Sequence, residues 1–495
     1  MGKTDNQVLN LIKISTEIKG GELTSHSSLT SGLLSTVLKI STNFLPQYPQ
    51  INLPVQEDSI KQRPIRIPRP EHTLSRRHIS QSALTVLYQL RHAGYQAFLV
   101  GGGVRDVLLG RIPKDFDVVT NALPEEIKKL FRSCRLIGRR FLLAHVRLNK
   151  DIVEVATFRA HHDKGGDGVM EEGRILRDNV YGTIDEDAWR RDFTINALYY
   201  DISDFSLLDY ANGMADLRAG IIRVIGNPQR RYEEDPVRML RAVRFAAKLG
   251  FTIAPTTATP IQQLGGLLAN IPPARLLEEV QKLFLSGYAV QAFIQLREYN
   301  LFKQLFPYTD ECLEDAQTLA LIKQVLHNTD ERLKDNKPVA PAFLLAALLW
   351  PPLSRSLPAQ AAGKNTYSTE MLLKASQSLL VKQHKRVAIP RRIVVLMQEI
   401  WSLQQRLVRP VRGKRYLNLL EHPRFRASYD FLLLRAQAGE EEAKPFAQWW
   451  TQFINSDEQQ RQALLSQYPA TGSKQPRRRR SNKKKIIIKV EIESE

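Results

Sequence analysis

Four apolar residues, Ala97-Phe98-Leu99-Val100, run straight into three glycines, Gly101, Gly102 and Gly103. No other junction constrains the chain as strongly. A short apolar run of this kind reads as a buried strand, and a glycine triplet directly after it as a tight turn. Val104-Arg105-Asp106 then opens a helix. A dozen residues past the glycines, Asp115-Phe116-Asp117 leads into Val118-Val119, a second strand. Alternate side chains of a strand share a face, so Asp115 and Asp117 are expected to point one way and Phe116 into the core. Glycines let a backbone approach phosphates closely and leave amide groups free. Two carboxylates on one strand face suit a pair of divalent cations about 4 Å apart, the layout for in-line phosphoryl or nucleotidyl transfer. The segment is not a Walker A loop, because no Gly-Lys-Ser or Gly-Lys-Thr follows. It also fails the dinucleotide-binding pattern, because Asp106 stands in the third glycine's place.

The surroundings of this junction give the architecture. Upstream, Ile79, Ala83, Leu87 and Leu90 recur at helical spacing and Gly94 closes the helix. Downstream, His145–Leu148 and Ile152–Phe158 read as strands and Leu123–Phe131 as a helix. After about residue 230 helical periodicity takes over. Asp235 reads as an N-cap followed by Pro236 at the first helical position, with Gly250 ending that helix. The fold class is therefore α+β, a small α/β head followed by an all-α region. The expected organisation is a flexible arm over 1–74, a head over 75–228, a helical neck over 229–290, a helical body and leg over 291–470, and a disordered basic tail over 471–495. The arm follows from six prolines between Pro46 and Pro70, which break regular elements.

Charge and cysteine content narrow the function. The 495 residues carry a net charge of +20, an excess that favours a polyanionic partner. Removing residues 474–495, with nine basic and three acidic residues, still leaves +14, so the folded part is basic too. Two cysteines, Cys134 and Cys312, exclude a disulfide framework and a CxxC zinc site. The longest apolar run, Ala342–Trp350, is nine residues and lies between Pro341 and Pro351. A membrane span needs roughly 20, so this run is a core helix. Asn10 and Lys13 interrupt the early apolar stretch, so no signal peptide is expected and a cytoplasmic setting is.

The ordered motifs carry a resemblance. Gly101–Asp106 with Asp115-Phe116-Asp117 resembles the head motif of the bacterial poly(A) polymerase and CCA-adding enzyme family, the class II branch of the nucleotidyltransferases. Arg190-Arg191-Asp192-Phe193-Thr194-Ile195-Asn196 resembles the family's next segment, and Asp209-Tyr210-Ala211-Asn212-Gly213 the one after it. Glu234-Asp235-Pro236-Val237-Arg238 resembles its EDxxR helix. The resemblance implies that Asp115 and Asp117 hold Mg²⁺, two ions with Mn²⁺ as a substitute, and that ATP is a substrate. Gly101, Gly102, Arg105, Arg190 and Arg191 are candidate nucleotide-binding residues, the arginines facing the triphosphate. Asp235, Arg238 and Arg241 fall on one helix face, where a carboxylate and a guanidinium can read a base edge or form a structural ion pair. Glu154, mid-strand, and Asp192 are the candidates for a third catalytic carboxylate, with Asp192 placed first, and either could instead only position an arginine.

Family members differ in product: some add CCA to tRNA, others add adenosines to many RNA 3′ ends. Leu136–Val146 resembles the segment that characterises the poly(A) polymerases. Twelve basic residues against two acidic ones lie between Lys382 and Arg426, with Trp401, Tyr416 and Phe425 interleaved. The charge suits a phosphate backbone, while the aromatics individually read as core. The expected function is template-independent adenylyl transfer from ATP to RNA 3′ ends with release of pyrophosphate, which by resemblance marks RNA for decay. RNA-decay proteins are the expected protein partners and a monomer the expected state. A CCA-adding enzyme is the alternative. A non-catalytic RNA-binding protein is the alternative of another class, and the intact Asp115/Asp117 pair argues against it.

Overall fold

The computed structural model describes residues 63–138, 142–160, 169–171, 174–177, 180–357, 367–408 and 415–466. Most of the expected arm and the whole basic tail lie outside the described residues. The described part of the arm is structured. Strand β1 (Ile65–Ile67) pairs antiparallel with β10 (Leu207–Asp209), so structure begins ten residues before the expected start near Ser75. Pro64 and Pro68 flank this strand without breaking it, because β1 is a sheet edge, where a missing N–H costs little.

Helix α1 (Gln81–His92) starts where the Ser80 hydroxyl accepts the amide of Ala83 at 3.2 Å, and buries Ala83, Val86, Leu87 and Leu90. Strand β2 (Ala97–Val100) follows, then helix α2 (Gly102–Leu108), then β3 (Asp117–Thr120). Helix α3 (Pro124–Leu130) leads into β4 (Cys134–Ile137), β5 (Leu143–Leu148) and β6 (Asp151–Thr157). A hairpin of β7 (Val169–Glu171) and β8 (Arg174–Arg177) precedes helix α4 (Ile184–Arg190), and β9 (Leu198–Asp201) comes before β10. The main sheet has eight strands in the order β1-β10-β9-β2-β3-β6-β5-β4. Its pairings are antiparallel except β3 with β6, which run parallel and set Asp117 opposite Glu154.

The Asp209–Gly213 motif proves to be packing chemistry. The Asp209 carboxylate accepts the amides of Gly213 and Met214 at 2.8 and 2.9 Å, capping helix α5 (Gly213–Ala219). A methyl group on Gly213 would lie 2.2 Å from the carbonyl oxygen of Thr194. The motif therefore clamps helix α5 against the segment after Arg191-Asp192.

The neck follows. Helix α6 (Pro228–Glu234) leads into α7 (Val237–Leu249), which ends at Gly250 in the left-handed region, φ +74°. The expected N-cap is shifted by one: Asp235 closes α6, and Pro236 occupies the cap position of α7. Helices α8 (Pro255–Leu264), α9 (Pro273–Phe284) and α10 (Ala289–Glu298) complete this region. A body of further helices includes Ala316–Lys334, Pro341–Leu348 and Arg391–Leu407. One continuous apolar core runs from one face of the sheet through α7 and α9 into the body, and Trp449, Trp450 and Phe453 anchor a second one. Trp401, Tyr416 and Phe425 are all buried, as core aromatics should be. No helix among the described residues is long and apolar enough to cross a membrane.

The clamp at Gly213 gives a direct check. Gly213→Ala is expected to cost about 1–3 kcal/mol through overpacking against backbone that cannot yield. Gly266→Ala, where a methyl group meets nothing within 4 Å, should stay within about 0.5 kcal/mol of the parent. Urea unfolding midpoints of the two variants measure the difference.

Candidate active site

The site is built at the junction of β2, α2 and β3. Gly103 permits it, since a methyl group there would lie 3.0 Å from both the carbonyl oxygen of Asp115 and the ring of Phe116. The glycine turn thus lies directly against the Asp115–Asp117 segment. Gly101, at φ +78°, sits between two functional groups: its missing methyl would be 3.4 Å from Asp117 Oδ2 and 3.6 Å from Arg191 Nη1. Asp117 is the first residue of β3 and half-buried, whereas Asp115 precedes the strand and is exposed. Phe116 packs on the core side as its alternation requires.

Parallel pairing with β6 puts Glu154 directly beside Asp117. Burial pushes the Asp117 carboxyl up to about 6; the negative charge of Glu154 adds to this, Arg191 opposes it and Asp115 contributes further. Anions crowded this way are short of a cation. No group of three or more His, Cys, Asp or Glu residues among the described residues is arranged to hold a metal by itself. A site of two or three carboxylates fits Mg²⁺ nonetheless, because that ion keeps waters and completes its shell with substrate phosphate oxygens.

Arg191 is held by two groups that sequence reasoning missed. Its Nε donates to the Tyr199 hydroxyl at 2.8 Å, and its Nη2 donates to Asp187 Oδ2 at 3.0 Å. The Tyr199 hydroxyl donates to the same Asp187 oxygen at 2.8 Å. Burial opposes ionisation of Asp187, yet Arg191 and Arg159 hold its carboxyl below the usual range. The third nitrogen, Nη1, is thereby aimed at Gly101 and Asp117. Asp187 lies in the acidic first turn of α4, where a carboxylate looks like helix-end decoration, so no sequence signal marked it.

The other two expected phosphate ligands are bonded inside the head, Arg105 alongside the glycine turn, where a methyl group on Gly102 would lie 3.5 Å from its Nη2. Arg105 is 2% exposed, with Nε 2.8 Å from Asp106 and Nη1 2.7 Å from the Asn196 side-chain oxygen. Arg190 is buried and donates to the carbonyl of Ala160. Both guanidiniums are engaged in buried bonds that fix their positions.

Asp192 is likewise occupied. One oxygen accepts the amide of Phe193 at 2.8 Å and the side chain of Asn196 at 3.0 Å, and the other accepts Arg241 Nε at 2.8 Å. Burial acts against ionisation, but Arg241, Asn196 and the Phe193 amide hold the carboxyl well below the usual range. Asp192, placed first as third carboxylate, is a joint between head and neck, and Glu154 is the carboxylate beside Asp117.

The neck residues form a linked cluster. Asp235 and Arg238 are joined through the backbone, the Arg238 amide donating to the Asp235 carbonyl at 3.0 Å, and their side chains reach further partners. Asp235 Oδ2 accepts Arg275 at 2.7 Å, while Arg238 donates to Glu234 at 3.0 Å and to the Arg231 carbonyl at 2.6 Å. Arg231, also missed in the sequence, donates to the carbonyls of Arg190 and Arg191 at 2.6 and 2.8 Å. Burial, then the charge of Arg238, lowers its pKa to about 10.

These placements separate two kinds of aspartate. Asp192→Ala leaves Arg241 without its partner and is expected to cost about 2–3 kcal/mol, since Arg241 is partly exposed. Asp117→Asn relieves carboxylate crowding and should leave the melting temperature equal or higher. Thermal unfolding of both variants in EDTA tests the assignment, and a larger loss for Asp117→Asn would reverse it.

Comparison with known proteins accords with this geometry. Residues 97–223 match the family model "Poly A polymerase head domain", residues 250–313 "Probable RNA and SrmB- binding site of polymerase A", and residues 364–485 "Polymerase A arginine-rich C-terminus". Poly(A) polymerase I of Salmonella typhimurium is 50% identical over 430 residues, covering 85% of this chain and 91% of its own. The CC-adding tRNA nucleotidyltransferase of Halalkalibacterium halodurans is 37% identical over 247 residues, half of this chain. Among solved structures, the Bacillus stearothermophilus CCA-adding enzyme in complex with CTP superposes with a TM-score of 0.51 at 26% identity, over 74% of this chain and 80% of that one. The chain belongs to the bacterial poly(A) polymerase family.

Proposed function

We propose that this protein is a template-independent polynucleotide adenylyltransferase that joins AMP from ATP to an RNA 3′-hydroxyl and releases pyrophosphate. The observation that carries the chemistry is the Asp117 carboxylate, wedged between Glu154 and Asp115 and faced by Gly101 and Arg191. Asp115 and Asp117 are the residues that would hold Mg²⁺, with Glu154 as the third carboxylate. When bound, the metal lowers the pKa of the attacking hydroxyl and offsets charge on the triphosphate. Arg191, fixed by Asp187 and Tyr199, places a permanent positive charge beside the glycine turn. That turn leaves the room a side chain would fill, so the phosphates of ATP can lie against backbone. Because Asp187 and Tyr199 hold the guanidinium rigidly, little side-chain freedom is lost when ATP binds.

The arginines of the neck are candidates for choosing the base. Arg231, Glu234 and Arg238 are bonded to one another and to the carbonyls of Arg190 and Arg191, so the base-facing surface is tied to the phosphate-facing one. A pre-formed donor array favours a base with matching acceptors and rejects others by leaving buried groups unpaired. Poly(A) addition is favoured over CCA addition because the 50% identity to poly(A) polymerase I spans 85% of this chain, whereas the 37% identity to the CC-adding enzyme spans half of it.

Labelled ATP and CTP, supplied separately to a generic RNA and to a tRNA lacking its 3′ end, test the reading. AMP incorporation into both RNAs, without CMP, is expected. CMP addition confined to the tRNA would favour the CCA-adding alternative. Asp117→Ala should reduce incorporation on the order of a thousandfold or more while the protein stays folded. Near-normal turnover in that variant would sink the site assignment.

A further inference from the structure

The sheet face that carries Asp117 is covered at one end and open at the other. Over β2, β3 and β9 it is packed with Phe98, Val100, Val119 and Tyr199 against Ala188 of α4. Past Asp117 the same face continues across β6, β5 and β4. Strand register sets Glu154 beside Asp117, His145 beside Glu154 and Arg135 beside His145. Adjacent strands lie about 4.8 Å apart, so this row spans about 14 Å from Asp117 to Arg135. Flanking rows pair Arg147 with Ile152 and Ile137 with Leu143. Arg135, Arg147 and Glu154 are exposed, and Ile137 and Ile152 are 39% and 50% exposed. The opposite face of these strands is fully packed through Ala144, Val146, Val153 and Val155. The exposure therefore belongs to one face and is not fraying of a sheet edge.

Two features say what this face accepts. First, Arg135 and Arg147 carry no ion pair among the described residues, unlike the arginines of the head's interior. Unpaired guanidiniums set among exposed isoleucines suit a ligand that is both anionic and flat-sided. Second, in-line displacement requires the attacking and leaving groups on opposite sides of the reacting phosphorus. Gly101 and Arg191 flank Asp117 on the β2 and β9 side, which leaves the β6 side for the attacking strand.

We infer that the open face of β4, β5 and β6 is a platform for the last nucleotides of the RNA acceptor strand. Arg135 and Arg147 contact its phosphates, and Ile137, Leu143 and Ile152 lie under its bases or riboses. His145, with Nε2 3.3 Å from Glu154 Oε1, occupies the step between platform and carboxylates. This assignment rests on the adenylyltransferase reading for its orientation, and gives part of the Leu136–Val146 segment a physical task.

The test is equilibrium binding of a fluorescent single-stranded RNA to the full chain without ATP. In Arg135→Ala/Arg147→Ala the Kd should rise about tenfold, and the salt slope should fall by about 1.4, the share of two phosphate contacts on a single strand. Lys334→Ala/Lys337→Ala, an equal charge loss at an exposed site in the body, should shift Kd less than twofold. A second measurement uses the unmodified protein: 4-thiouridine at the RNA 3′ end should photocrosslink to peptides within residues 135–154. Arginine variants that match the lysine control, or crosslinks mapping elsewhere, as a protein-docking face would give, overturn the platform. Because neither readout needs ATP, a failure of the parent protein to incorporate AMP would refute the proposed reaction and leave this test intact.

Discussion

A closed ring of five charged side chains and one amide holds the head to the neck, and it runs through both flanks of the site. Arg241 of α7 bonds Asp192, Asp192 bonds Asn196, and Asn196 bonds Arg105. Arg105 bonds Asp106, and Asp106 bonds Lys248, which lies on α7 two turns beyond Arg241. Residues seven apart on a helix share a face, so the ring starts and ends on one stripe of α7. It passes through α2, which begins at the glycine turn, and through the segment that carries Arg191. The spacing between the carboxylate flank and the arginine flank is therefore set by one helix. Such a ring is costly to break at Asp192 or Asp106, because either loss leaves a guanidinium short of its carboxylate.

That ring changes how the family motifs should be understood. Arg105, Asp106, Asp192 and Asn196 sit in motifs whose resemblance points to catalysis, yet each spends its hydrogen bonds on its neighbours. On the proposed reading, the groups beside the reacting atoms are fewer: Asp115, Asp117, Glu154, Arg191 and the turn at Gly101. The others fix where those few stand. A residue that positions and a residue that reacts are equally specific in sequence, since both are intolerant of change in geometry.

What could be read in advance follows the range of the interactions. The strand, glycine turn, helix and the strand that Asp117 opens are local, and periodicity with turn chemistry places them within a residue or two, although Asp115 falls just before that strand rather than on it. The helical neck and the burial of Trp401, Tyr416 and Phe425 were legible for the same reason. The partner of Asp117 was only half legible. Glu154 was a strand residue of the right type, but its place beside Asp117 depends on β6 joining β3 in parallel after a helix and two strands intervene. Asp192 and Arg241 are far apart in the chain, and no spacing rule links them. Proline content misled at β1, because the rule against proline in strands weakens at a sheet edge. Asp187 was hidden by a second role, as one of three acids in the first turn of α4.

The same contrast divides the positive charge. Arginines of the head and neck are largely matched internally, as with Arg105 and Asp106, Arg191 and Asp187, Arg241 and Asp192. Charges neutralised this way contribute little to the long-range attraction of an RNA backbone. Among the described residues, exposed cations free to attract such a backbone include Arg135 and Arg147 on the sheet and Lys382, Lys385, Arg391 and Arg392 in the helical body. Salt acts on these two populations differently. Exposed charges are screened over about 10 Å at 0.1 M salt, whereas pairs removed from water are screened far less. Rising ionic strength therefore loosens the hold on a phosphate backbone while the ring that fixes the active site stays closed. A chain built this way can release its polymer between additions without unmaking the geometry that performs them.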